Sequence, residues 1–383
     1  MKGIKKVISV VVIVCIIIGM IPAAFAEGAQ LELTSKSAIL MEKSTGRILY
    51  EMNPDEKLPP ASVTKIMTML LIMEAIDSGK IKYDDIVTSS ANATSLGGSQ
   101  VYLKEGEQMT VDEMLKCIAV ASANDACVAM AEYIAGSEAE FVQMMNDKAK
   151  ELGMENTTFI NCHGLDTDGH LTTARDIALM SRELLLKHED IKKYTTIWMD
   201  TIRSGEFGLT NTNKLIRFYE NATGLKTGST GKALYCMSAT ALKDGMELIA
   251  VVMAAPSSDD RANDAKALLN YGFAKYSLYL GQNQAEQFDP VRVIKGKSGY
   301  VNVKTLESSD IVVEKGQADK IERTVTLSED VSAPVEQNQK LGEITLTLDG
   351  NTLATIDIVA DTAVPKAGLW DILKIVVKQF LTL

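Results

Sequence analysis

The sequence predicts a mixed α/β (α+β) fold, an antiparallel sheet flanked by helices and followed by a small all-β domain. Three features predict it. Strand-like alternation stands at both ends of the region 27–285 with helical periodicity between, so a single sheet must gather edge strands that are far apart in the chain. Two of these strands meet at Asp244-Gly245, a pair that tolerates the positive φ angles of a tight hairpin. From about Gln287 the texture changes to short alternating strands, "VRVIKGKSGYVNVKT", "DIVVEKG", "IERTVTLSE" and "LGEITLTLDGNTLATIDIVA", separated by turn residues.

Taken in order, Lys2, Lys5 and Lys6 precede an apolar run from Val7 to Ile21, and Ala24-Phe25-Ala26 has the small-x-small form of a signal-peptidase site. Residues 1–26 are expected to be an export signal, since the run is short for a membrane span. Cys15 has no small residues just before it, which argues against a lipoprotein signal. The mature chain then divides into a mixed domain, 27–285, an all-β domain, 286–364, and a terminal helix, 365–383. "SAILMEKSTGRILYEMN" reads as a hairpin turning at Lys43 to Gly46. Pro59-Pro60 opens a helix that ends near Gly79. Its Ile66, Met69, Leu70 and Met73 form one stripe that Met67 and Leu71 widen, so most of its faces should be buried. Residues 84–108 read as loop-rich. Thr110-x-x-Glu113 is a capping box for a helix through Val120, and a second helix runs from about Asp125 to Ala135. "TGLKTGST" leads into two strands, "LYCMSATALKDGMELIAVVMAA", and a helix from Arg261 to Tyr276.

Composition excludes several functions. Without the three leader lysines, 39 basic residues become 36 against 50 acidic ones, and the formal charge moves from −11 to −14. Nucleic acid is therefore not an expected partner, because it requires a basic surface. Cys117, Cys127, Cys162 and Cys236 lack metal spacing and are too few for a disulfide framework in so long a chain, so buried free thiols are expected. His163, Asp166, Asp168 and His170 match no helical zinc motif and read as a set that orders a loop. No metal or cofactor is expected.

Ser62-Val63-Thr64-Lys65 places a hydroxyl and an amine at i and i+3 on one helix face, where a neutral amine could take the serine proton. The pattern alone is weak, because Ser229 to Lys232 matches it too. Two more elements follow in order. Ser122-Ala123-Asn124 lies between two helices, and Lys226-Thr227-Gly228 lies on the strand before the hairpin. Ser90-Ala91-Asn92 also reads serine-x-asparagine but lacks flanking apolar helices to hold it in place.

With these three elements, with "SANDACVAMAEYIAGSEAEFVQMMNDKAKELGMENTTF", and with "HGLD" and "GLKTG", the chain resembles the penicillin-binding serine peptidases, and within them the low-molecular-mass D-alanyl-D-alanine carboxypeptidases. The resemblance implies a β-lactamase/transpeptidase-like catalytic domain. It implies Ser62 as nucleophile toward peptidoglycan stem peptides ending in D-Ala-D-Ala and toward β-lactams. It also implies Lys65 as general base and Ser122 as proton relay to the departing amine. Asn124 would hold the substrate backbone, and Lys226 and Thr227 its terminal carboxylate. Gly228 would let the peptide lie along the strand, and the N–H groups of Ser62 and Ser229 would form the oxyanion hole. Arg261 would help bind the carboxylate. Burial and the charge of Lys226 should both lower the pKa of Lys65, the direction a base requires. Some relatives carry histidine where this chain has Ser229, or arginine where it has Thr212.

Two alternatives remain in the sequence. A β-lactamase of class A needs a Glu-x-x-Leu-Asn segment, and none stands between Asn124 and Lys226. A sensor or wall-binding protein would be acylated by β-lactams without repeated release of D-alanine. The final segment, "PKAGLWDILKIVVKQFLTL", places Leu369, Ile372, Leu373, Val376 and Phe380 on one helical face opposite Asp371, Lys374 and Lys378. It is expected to lie on a membrane surface and to hold the exported protein at the outer face of the cytoplasmic membrane.

Overall fold

A computed structural model describes residues 31–281, 287–306 and 310–371. The expected export signal and most of the terminal helix fall outside the described residues. The N-terminal hairpin consists of β1 (Ser37–Glu42) and β2 (Ile48–Met52). Its turn is held by the buried Glu42 carboxylate, which accepts from the backbone N–H groups of Ser44 at 2.9 Å and Thr45 at 2.7 Å. A 3-10 turn, Ala61–Thr64, leads directly into α1 (Lys65–Asp77). Every large apolar residue from Ile66 to Met73 is buried, as the wide stripe predicts, and each contributes roughly 1.5–3 kcal/mol of transfer free energy.

Around α1 pack α2 (Val111–Val120), α3 (Asn124–Ala135), α4 (Glu138–Glu151) and α5 (Ala174–Lys187). Both halves of the Thr110–Glu113 capping box are formed, and α3 stops at Gly136, whose φ of 85° suits a residue without a Cβ. The chain then returns through β3 (Ala222–Thr230), β4 (Leu234–Lys243) and β5 (Met246–Ala255), and ends this region with α6 (Ser258–Lys275). The five strands form one antiparallel sheet in the order β2-β1-β5-β4-β3. Its edges, β2 and β3, are far apart in the chain, as expected. All ten residues of β5 are buried, with α5 and α6 packed against the strand.

Two local expectations change. The 84–108 segment is not all loop: Ile86–Thr88 pairs antiparallel with Gln108–Thr110, and Ala91–Thr94 is a short helix capped by Ser90. Three-residue strands are too short to show alternation. Helix α6 begins before Arg261 because the Ser257 hydroxyl caps it, accepting from the Asp260 N–H at 3.1 Å.

In the C-terminal region a four-stranded sheet runs in the order Val303–Thr305, Asn351–Ala360, Lys340–Leu348, Glu322–Leu327, over a core of Ile344, Leu346, Ile356 and Ile358. From Thr34 on, the described residues form one compact unit, and the two regions are joined within it. Tyr276–Tyr279 pairs with Ile311–Glu314, and Arg47 donates to the Val312 carbonyl. Residues 365–367 are tied in too: Lys297 N–H donates to the Pro365 carbonyl at 2.9 Å and Ala367 N–H to the Lys295 carbonyl at 2.8 Å. Cys117, Cys127, Cys162 and Cys236 are free and buried.

Candidate active site

The 3-10 turn explains why Ser62 meets Lys65. Side chains at i and i+3 eclipse in a 3-10 helix, and Lys65 Nζ lies 2.9 Å from Ser62 Oγ. The same nitrogen is 2.7 Å from Asn124 Oδ1 and 2.7 Å from the His163 carbonyl oxygen. Lys65 is fully buried, and that desolvation holds its amine below the ordinary lysine range, against the opposing influence of Cys127, Cys162 and Asp125.

These three neighbours suit a neutral amine. The amide and carbonyl oxygens can only accept and take its two N–H bonds, while the hydroxyl can turn its proton toward the remaining lone pair. Asn124 is itself fixed at the start of α3: its Nδ2 donates to the Gly97 carbonyl at 2.7 Å and its backbone N–H to the Ser99 carbonyl at 2.8 Å.

Ser122 sits on the turn between α2 and α3 with a φ of 62°, and its nearly buried hydroxyl accepts from Lys226 Nζ at 2.9 Å. Lys226 also reaches the Thr227 carbonyl at 3.1 Å. Burial, and then the charge of Lys65, hold its amine well below the ordinary range. Burial dominates at both lysines, and because the two are close, a charge on either disfavours a charge on the other. Thr227 donates to Thr212 Oγ1 at 2.7 Å.

Gly228 is required by close approach. A Cβ there would stand 2.8 Å from Ser62 N, 2.9 Å from the Pro60 carbonyl oxygen and 2.9 Å from Val63 N. The Ser229 side chain is exposed. Arg261 reaches this strand from behind, donating to the Gly228 and Cys236 carbonyls at 3.2 and 3.4 Å, and its guanidinium stacks on Tyr235. The structure thus brings together Ser62, Lys65 and Asn124, and beside them Ser122, Lys226 and Thr227. Arg261 joins them through the backbone of β3.

The two decoys lie elsewhere. Ser90 caps its short helix and Asn92 bonds Glu132, while Lys232 is exposed and pairs with Asp168 at 3.2 Å. The loop residues have partners of their own. Asp166 accepts from Thr230 Oγ1 at 2.7 Å, and the ring Nδ1 atoms of His163 and His170 accept backbone N–H groups of Leu165 and Ile160. Sequence reasoning missed the carbonyls of His163 and Gly97, because backbone acceptors leave no residue-type signal. The Gly97-Gly98 pair was the available hint: a Cβ at Gly98 would stand 2.9 Å from Asn124 Nδ2.

Comparison with known proteins places the whole chain in a family. The profile of the D-alanyl-D-alanine carboxypeptidase family matches residues 23–257, and that of the penicillin-binding protein 5 C-terminal domain matches 281–366. The chain is 44% identical over 379 residues to the D-alanyl-D-alanine carboxypeptidase DacF of Bacillus subtilis, covering 97% of each. It is 34% identical over 365 residues to DacC of Escherichia coli, covering 91% of each. Penicillin-binding protein 5 of Haemophilus influenzae superposes with a TM-score of 0.77 at 29% identity, covering 88% of this chain and 99% of that one. Penicillin-binding protein 6B of Escherichia coli superposes with a TM-score of 0.71 at 31% identity, covering 88% and 98%. The chain belongs to the D-alanyl-D-alanine carboxypeptidases, serine peptidases of the low-molecular-mass penicillin-binding type.

Proposed function

We propose that the enzyme removes the terminal D-alanine from peptidoglycan stem peptides ending in D-Ala-D-Ala, with Ser62 as nucleophile, and that β-lactams acylate the same serine. The observation that carries this reading is the surroundings of Lys65 Nζ: two obligate acceptors and the Ser62 hydroxyl, in a buried site that favours the uncharged amine.

In the forward step Lys65 takes the Ser62 proton as Oγ attacks the carbonyl carbon between the two D-alanines. The N–H groups of Ser62 and Ser229 receive the developing oxyanion. Ser122, polarised by Lys226, passes a proton to the departing amine nitrogen and is reprotonated by the proton that Lys65 took from Ser62, so the C–N bond breaks, D-alanine leaves with an uncharged amine and its carboxylate, and the acyl ester stays on Ser62. Water then hydrolyses the ester. Asn124 orients the peptide, and Lys226 with Thr227 receives the terminal carboxylate. Arg261 supports that subsite through the Gly228 carbonyl.

Repeated release of D-alanine from a D-Ala-D-Ala peptide tests the reading. A sensor or wall-binding protein would release none beyond the first equivalent, and a β-lactamase would instead turn over penicillin.

The same proposal covers location and organisation. Residues 1–26 direct export, residues 27–285 form the catalytic domain, and the β domain is followed by a terminal helix that rests on the membrane surface. No helix among the described residues is long and apolar enough to cross a membrane. Leu369 and Trp370, where the terminal helix begins, are 84% and 75% exposed, as a surface-seeking apolar face requires.

A further inference from the structure

We propose that Thr64 and His170 are positioning residues for the oxyanion hole, acting on the Ser62 N–H through the Ala61 carbonyl at the other end of the same peptide plane. The inference rests on the reading of Ser62 as nucleophile with its N–H as oxyanion donor.

Ala61 has a φ of 48°, a left-handed conformation that costs a non-glycine residue on the order of 1–2 kcal/mol. Something must hold it there. The Thr64 hydroxyl donates to the Ala61 carbonyl at 2.8 Å, which leaves Thr64 Oγ1 free to accept. His170 Nε2 lies 2.8 Å from that oxygen. The direction of this second bond follows from the other ring nitrogen. Nδ1 accepts the Ile160 N–H at 3.0 Å, so in the neutral ring Nε2 carries the proton and donates it to Thr64. Hydrogen bonds therefore run one way, from Ile160 N–H through the imidazole and the Thr64 hydroxyl to the Ala61 carbonyl.

Ala61, Thr64 and His170 are all buried, and the Phe159 ring sits edge-on to the imidazole with centroids 5.8 Å apart. Gly164 closes the other side of the carbonyl, where a Cβ would fall 1.9 Å from Ala61 O.

The consequence is geometric. A peptide group is planar, so in the trans Ala61–Ser62 unit the direction of the carbonyl sets the opposite direction of the Ser62 N–H. Fixing the Ala61 oxygen therefore fixes the direction of that N–H, and Gly228, lacking a Cβ, lets strand β3 come close to Ser62 N. Preorganised donors aimed at a developing charge are a large part of acyl-transfer catalysis, and losing one costs about 10²–10³ in rate. A donor that remains but is misaimed should cost less.

The test is Thr64→Val, which keeps the shape and removes the hydroxyl, beside Thr64→Ser, which keeps the donor. Acylation by benzylpenicillin should slow by about 10–100-fold in the valine variant, with non-covalent affinity changed less than about twofold. The serine variant should stay within a few-fold of the parent. Affinity for a peptide boronic acid, whose tetrahedral adduct carries the oxyanion, should fall in the valine variant in parallel with the acylation rate. A merely structural role would lower the melting temperature or the active fraction without this parallel. If Thr64→Val does not fold, His170→Ala is read the same way. Wild-type acylation in the folded valine variant, or a loss confined to non-covalent affinity, overturns the proposal. A Ser62→Ala control that still labels would overturn both the reading of Ser62 and the proposal resting on it, whereas a silent control beside a fully active valine variant overturns the proposal alone.

Discussion

Lys226 Nζ lies 2.9 Å from Ser122 Oγ, and the lysine is 1% exposed. Among the described residues its hydrogen-bond partners are a hydroxyl and a carbonyl, and burial holds its amine well below the ordinary range, so a bound carboxylate would favour its charged form. Lys65 instead meets the Ser62 hydroxyl, the Asn124 amide oxygen and the His163 carbonyl.

The two lysines should therefore fail differently when truncated. Lys65→Ala should lower the rate at saturating peptide by about 10²–10⁴-fold, the range for loss of a positioned base. Lys226→Ala should mainly raise the peptide concentration needed for half-maximal rate. Steady-state kinetics on a D-Ala-D-Ala peptide separates them, and the base assignment is wrong if both variants change only that concentration.

Gly228→Ala places a methyl group against Ser62 N, Val63 N and the Pro60 carbonyl, all backbone atoms that cannot swing aside. Acylation should fall by about 100-fold or more, since misplacing reacting groups by an ångström can cost that much. Thermal melting with penicillin labelling checks it. A variant that melts and labels like the parent would show that strand β3 and the nucleophile turn can separate freely.

Acid stability should report the two buried histidines. Burial lowers the His163 pKa to about 3, helped by the charges of Lys65 and His170, and lowers that of His170 to about 4, opposed by Asp166. Both lie below the unfolded value of about 6.5, so between these limits the unfolded chain binds more protons. Stability is then fully present above about pH 6.5 and is lost as pH falls toward the folded values, by about 2 kcal/mol per histidine between pH 6.5 and 5. Urea unfolding at pH 7 and pH 5 measures the loss. The His163→Gln, His170→Gln double variant should show a much flatter dependence, and an equally steep one would place the titrating groups elsewhere.

Legibility in the sequence followed the type of signal. The Ser62–Lys65 pair, Ser122, Asn124 and Lys226 were legible because side-chain chemistry at fixed spacing survives in one dimension. The same holds for the hairpin at Asp244-Gly245 and the burial of α1, where turn chemistry and periodicity act locally. The strand Ile86–Thr88 was not legible, because three residues carry no period. The acceptors for Lys65 and Asn124 were hidden because any residue offers a carbonyl.

The terminal helix yields a further test. Residues 365–367 pair with 295–297, so a cut after Val364 would strip bonds from the β domain, and the truncation belongs after Gly368. That protein should appear in the soluble fraction with unchanged activity on a small peptide. Continued sedimentation with membranes would place the anchor elsewhere.

The central claim is that Ser62 is the acylated nucleophile, activated by Lys65 at 2.9 Å. Mass spectrometry of the penicillin-treated enzyme, with peptide mapping, tests it most directly. The account predicts one adduct, on the peptide bearing Ser62, absent from folded Ser62→Ala and retained in Ser229→Ala. An adduct on Ser122 or Ser229, or one that persists in folded Ser62→Ala, would contradict it.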